Sequence, residues 1–112
     1  INIGTGAAVN PITIGSTTAG ATVTINNLSF GGAITIPTGG AASSAGTSTL
    51  VAGTVTVTTT AVTASSIILL TSQADGGVVG FLRVSARTAA TSFVITSSSA
   101  TDTSSVGWVI LN

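Results

Sequence analysis

The sequence has no cysteine, histidine, methionine or tyrosine, and its only charged residues are Asp75, Arg83, Arg87 and Asp102, so lysine and glutamate are absent too. Each absence removes a class of chemistry. Without cysteine there are no disulfide staples and no thiolate metal sites, and the redox compartment is left open. Without histidine, lysine, glutamate, cysteine or tyrosine, the many Ser and Thr hydroxyls have no neighbouring base to activate them. "GTSTL" at Gly46 to Leu50 is not the strand, turn and helix elbow of a serine hydrolase. Asp75 and Asp102 could form a two-carboxylate glycosidase pair, within one chain or between copies. The simpler account gives both of them turn and loop roles. "QADGG" at Gln73 to Gly77 reads as a hairpin turn, and in "SATDTSS" Asp102 bonds to local backbone amides.

The net charge is zero, so no surface exists that could neutralise a run of phosphates, and nucleic acid is a poor partner. No apolar run approaches the roughly 20 residues of a spanning helix, and no basic stretch leads into an apolar one, so no membrane insertion is expected. Calcium asks for several oxygen ligands, usually with more than one carboxylate, and no acidic cluster is present. The Gly-rich pieces at Gly4 to Gly6 and at positions 31–32, 39–40 and 76–77 lack the helix and lysine that give such motifs a phosphate-binding role. We therefore assign no catalytic, cofactor-binding or metal-ligating residue and expect no enzyme activity. The chain begins at Ile1 without an initiator methionine, as a fragment or processed product does.

What is present is β-branched. Val, Ile and Thr suit a pleated, half-buried surface and disfavour helix. The first forty residues repeat one phrase: Ile1-Asn2-Ile3-Gly4, Ile12-Thr13-Ile14-Gly15, Val23-Thr24-Ile25-Asn26 and Ile34-Thr35-Ile36-Pro37, at a spacing of eleven residues. In each copy the two apolar residues lie on one side of a strand and a turn residue follows. One such unit cannot hold itself together. Ordering its backbone costs roughly 1–2 kcal/mol per residue, whereas burying two Ile side chains returns only about 1.5–3 kcal/mol each. Stacking on neighbours must supply the rest, and the unit is too short for one chain to enclose a core. Residues 1–40 are read as a repetitive β-shaft, one strand of a triple-stranded, intertwined assembly. Its shared core would be Ile1, Ile3, Ile12, Ile14, Val23, Ile25, Ile34 and Ile36. Two-fold or higher symmetry fits the same spacing, and an ordinary β-meander with even intervals is the rival.

Residues 41–49, rich in Gly, Ser and Ala, read as a linker. Residues 50–112 then carry five alternating segments, Leu50 to Val62, Ile67 to Leu70, Val78 to Arg87, Ser92 to Thr96 and Val106 to Leu111, separated by turn residues. This pattern predicts a small antiparallel β-sandwich or jelly-roll-like head, so the fold class is all-β throughout. In "GFLRVSAR" a period of two puts Phe81, Arg83, Ser85 and Arg87 on one face. In "GWVILN" Trp108 and Ile110 face away from Val109 and Leu111, with both sides apolar, which predicts a central strand or one in a subunit interface. Arg83 and Arg87 invite two readings. They pair with Asp102 or Asp75, within or between chains, and fix register, or they join Phe81 in a receptor contact suited to sugar hydroxyls or carboxylates. Trp108 could likewise be a sugar platform, although a lone Trp in an apolar strand is more often core.

The stretches "GTVTVTTTAVTASSIILLT", "GGVVGFLRVSAR" and "TSFVITSSSATDTSSVGWVIL", covering about half the chain between Gly53 and Leu111, resemble the C-terminal region of tail-fibre and minor structural proteins of tailed bacteriophages. The opening "INIGTGAA" and "PITIGSTT" are similar to repeats common in such fibres. The resemblance implies a homotrimeric, virion-attached β-fibre ending in a head, located on the particle surface and used in host attachment. Its partners would be its own copies, other virion proteins, and a host cell-surface glycan or protein. A capsid decoration protein and a bacterial surface adhesin or filament subunit are the alternatives.

Overall fold

In a computed structural model the described residues are 26–29 and 31–112. Of the residues expected in a shaft core, Ile1, Ile3, Ile12, Ile14, Val23 and Ile25 lie outside the described residues. Ile34 is exposed within the single chain and Ile36 is half-buried, and Ile34-Thr35-Ile36 is not in a strand. A compact unit runs from Thr35 to Asn112, and it is the β-sandwich that the alternating segments predict.

Its six strands are β1 (Ala45–Thr49), β2 (Thr54–Thr58), β3 (Ile67–Ala74), β4 (Leu82–Thr88), β5 (Ser92–Ser97) and β6 (Ser105–Leu111). They form two antiparallel three-stranded sheets, ordered β1-β6-β3 and β2-β5-β4. In both central strands burial alternates strictly: Phe93, Ile95 and Ser97 of β5 are buried, as are Val106, Trp108 and Ile110 of β6. These residues, with Leu50, Val57 and Val62, make one core between the sheets. Phe93 from one sheet meets Trp108 from the other edge to face, with centroids 5.4 Å apart and planes at 77°. The indole Nε1 donates to Ser48 Oγ at 3.2 Å, so the one polar atom of the ring is satisfied on entering the core.

Two sequence expectations change here. The stretch read as a linker, 41–49, contains β1 at Ala45–Thr49, which pairs with β6. Its small residues suit their place, since a Cβ added at Gly46 would come 2.7 Å from Trp108 Cζ2. The segment read as one strand, Leu50 to Val62, is broken by a tight turn. Val51 and Thr54 exchange backbone bonds of 2.9 and 3.1 Å around Ala52 and Gly53, whose φ angles are 51° and 76°. Two successive positive φ values are the primed hairpin turn, which here carries the chain from one sheet to the other. Ala52 gives no warning of it, because alanine is not a residue that favours this conformation.

Candidate functional site

At one end of the sandwich the β3–β4 loop is fastened to the β5–β6 loop through Asp102. Asp102 is buried, and its carboxylate accepts the Ser97 hydroxyl at 2.6 Å, the Ser104 amide at 2.9 Å and the Gly80 amide at 3.0 Å. Hydrogen bonding from Ser104, then from Ser97 and Gly80, holds this carboxyl well below the usual carboxylate range, because each donor favours the ionised form. The local amide bond expected for Asp102 is present, while the bonds to Ser97 and Gly80 tie it to other segments. The Asp102 backbone adds to this tether. Gly77 bridges to it, and its carbonyl accepts from the Gly53 amide at 3.0 Å. Gly53 and Gly77 have positive φ and no room for a Cβ against the backbone carbonyls of Ser99 and Thr101. A carboxylate so enclosed by neutral donors is held ionised as a structural clamp, the reverse of the raised pKa that suits a general acid.

The clamped loop presents apolar side chains to water. Val78, Val79 and Phe81 are all exposed, Phe81 to 88%. The Phe81 backbone is bonded on both sides to Ser98, its amide donating to Ser98 Oγ at 2.8 Å and its carbonyl accepting from the Ser98 amide at 2.9 Å.

The outer face of the β2-β5-β4 sheet continues from Phe81. Thr54, Thr96 and Arg83 lie in one row across the three strands, and Ser85 Oγ lies 2.7 Å from Thr96 Oγ1. The expectation that Phe81, Arg83, Ser85 and Arg87 share a face holds for the first three only. A β-bulge between Val84 and Ala86 shifts the register, so Arg87 stands opposite the core residue Phe93, whereas Arg83 stands opposite outward-facing Thr96. One extra residue inverts the side of everything after it. No feature of "RVSAR" announces the bulge. The Arg–Asp register device is also not what forms within the chain. The partners of Asp102 are Ser97, Ser104 and Gly80, and that of Asp75 is Ser72.

The outer face of the β1-β6-β3 sheet is different in character. Ile67 pairs with Leu111 in one row, and Leu69, Val109 and Ala45 form the next. Ile67, Leu69 and Leu111 are exposed to 62, 55 and 48%. Leu69 and Val109 also line a groove of about 750 Å³, with Thr47, Thr71, Gln73 and the 7% of Trp108 that is exposed. Trp108 is in the core, so it offers no free ring to a sugar. The last strand is central, as its two apolar sides suggest, with one side in the core and the other facing outwards. Among the described residues no three metal-ligating side chains cluster, and no helix is long and apolar enough to cross a membrane.

The described residues thus form a two-sheet sandwich with a carboxylate-clamped loop at one end. Residues 41–111 match the family described as K1 capsule-specific polysaccharide lyase, C-terminal domain, and the chain belongs to that family. The family is a phage tail-spike-related domain, so the likeness to the C-terminal region of phage tail proteins holds at that level. No curated protein and no solved structure matches the chain.

Proposed function

We propose that the chain is a non-catalytic structural part of a virion, the β-sandwich end of a homotrimeric phage tail fibre or spike, and that it serves host attachment. Membership of the lyase C-terminal domain family over residues 41–111 carries this reading. The outer face of the β1-β6-β3 sheet supports the oligomer. A contiguous aliphatic surface of Ile67, Leu69, Val109 and Leu111 is costly to leave in water. Each large side chain fully buried there returns about 1.5–3 kcal/mol, and with almost no surface charge little repulsion opposes association. Three equivalent heads on one stalk convert a weak contact into avid binding.

The mass of the native assembly tests the proposal. Sedimentation equilibrium should give three times the 10.7 kDa chain, and Leu69→Asp should lower it to the mass of one chain without loss of β structure. A wild-type mass of a single chain would overturn the reading.

A further inference from the structure

Phe81 combines two properties that seldom coincide by chance. An aromatic ring that is 88% exposed forgoes about 1.5–3 kcal/mol of burial, yet its backbone is held from three directions. The Phe81 amide and carbonyl are both bonded to Ser98, and the preceding amide, that of Gly80, is bonded to buried Asp102. An exposed anchor on a fixed backbone is how a recognition surface avoids an ordering cost on binding. Two positions along, on the same outer face, stands Arg83, an exposed cation with no carboxylate partner among the described residues. Hydroxyls flank it, Thr96 of β5 opposite Arg83 and bonded to Ser85, Ser98 just after β5 accepting the Phe81 amide, and Thr54 of β2 beyond.

We infer that this corner of the β2-β5-β4 sheet, Phe81 and Arg83 above Thr96 and Ser98, is a binding site for an acidic oligosaccharide. The inference rests on the attachment reading for the kind of partner and adds its chemistry and its place. The apolar side of a sugar ring stacks on Phe81, the guanidinium takes the sugar carboxylate through paired N–H donors, and the threonine and serine hydroxyls meet ring hydroxyls as donor or acceptor. A neutral glycan would leave Arg83 unmatched. A peptide of acidic residues alone, such as hexaglutamate, would use Arg83 but has no ring to lay on Phe81.

The full chain, ¹⁵N-labelled, is titrated with a hyaluronan hexasaccharide, a sialic acid trimer, neutral maltohexaose and hexaglutamate. An acidic sugar should shift the amides of residues 81–85, 96 and 98, and added salt should weaken the effect. Arg83→Gln should weaken binding about tenfold, as loss of a charge-assisted bond does. Phe81→Ala should also weaken it while leaving the thermal midpoint unchanged, since the ring is not in the core. Silence of these amides with both acidic sugars, equal shifts with maltohexaose, or equal shifts with hexaglutamate would each overturn the assignment. The mass of the same sample is measured in parallel. A single-chain mass with shifted amides refutes the fibre reading alone, and a trimer with silent amides refutes the site alone.

Discussion

Phe93 and Trp108 lean on each other edge to face, 5.4 Å between centroids, and join the two sheets at the centre of the sandwich. Phe93 is wholly buried, so Phe93→Ala should cost about 3–5 kcal/mol through lost transfer energy and the cavity left behind. Urea unfolding would measure it as a fall in midpoint at constant slope.

Gly46 and Trp108 are coupled by space. A methyl group at 46 would come 2.7 Å from Trp108 Cζ2, and the ring is enclosed, so Gly46→Ala should cost about 1–3 kcal/mol as overpacking. Trp108→Phe removes the atom that clashes. In the double variant the two costs should not add, and a double-mutant cycle that closes at zero coupling would contradict the packing described.

Asp102→Asn should lower stability at neutral pH, because the amide nitrogen replaces one of the two acceptor oxygens and presents a donor either to the Ser104 amide or to the Gly80 amide. The pH dependence follows from the sign. The folded carboxyl titrates below its ordinary value of 3.8, so its contribution is complete above that value and is lost as the pH falls beneath it. Wild type should therefore lose stability relative to Asp102→Asn in thermal melts between pH 4 and the lowest pH at which both fold, a range set by the ordinary carboxylate value.

Ala52 occupies a left-handed conformation at φ 51° beside Gly53 at 76°. Asn is at ease there and is favoured before Gly in this turn, so Ala52→Asn should stabilise the sandwich by about 0.5–1 kcal/mol. Gly53→Ala should do the opposite, since its Cβ has no room against Ser99.

How far the fold could be read from the sequence depended on where the signal lay. Ser92 to Ser97 and Ser105 to Leu111 carry the runs Phe93-Val94-Ile95 and Trp108 to Leu111, apolar on both sides, and both are central strands. Ala45–Thr49 was hidden because its inward residues are Gly46 and Ser48, too small to mark a buried side; their size is fixed by Trp108, sixty residues away in the case of Ser48. The break at Ala52 and the bulge after Val84 were hidden for a different reason. Both are set by tertiary pairing and carried by residues with no turn or bulge preference. At the candidate site, Phe81 and Arg83 were legible as neighbours on one face, and the local bond of Asp102 was expected. The fastening of Asp102 to Gly80 needed two loops to meet, which local pattern does not encode.

The bulge in β4 also governs how this molecule treats its own margins. β4 is an outermost strand of its sheet, and a regular outermost strand invites pairing with a second chain. Past the bulge Arg87 falls in register with Phe93 yet stays exposed, so a strand laid alongside would have to strip water from a guanidinium. Strand-to-strand extension into an endless ribbon is thereby opposed on that flank.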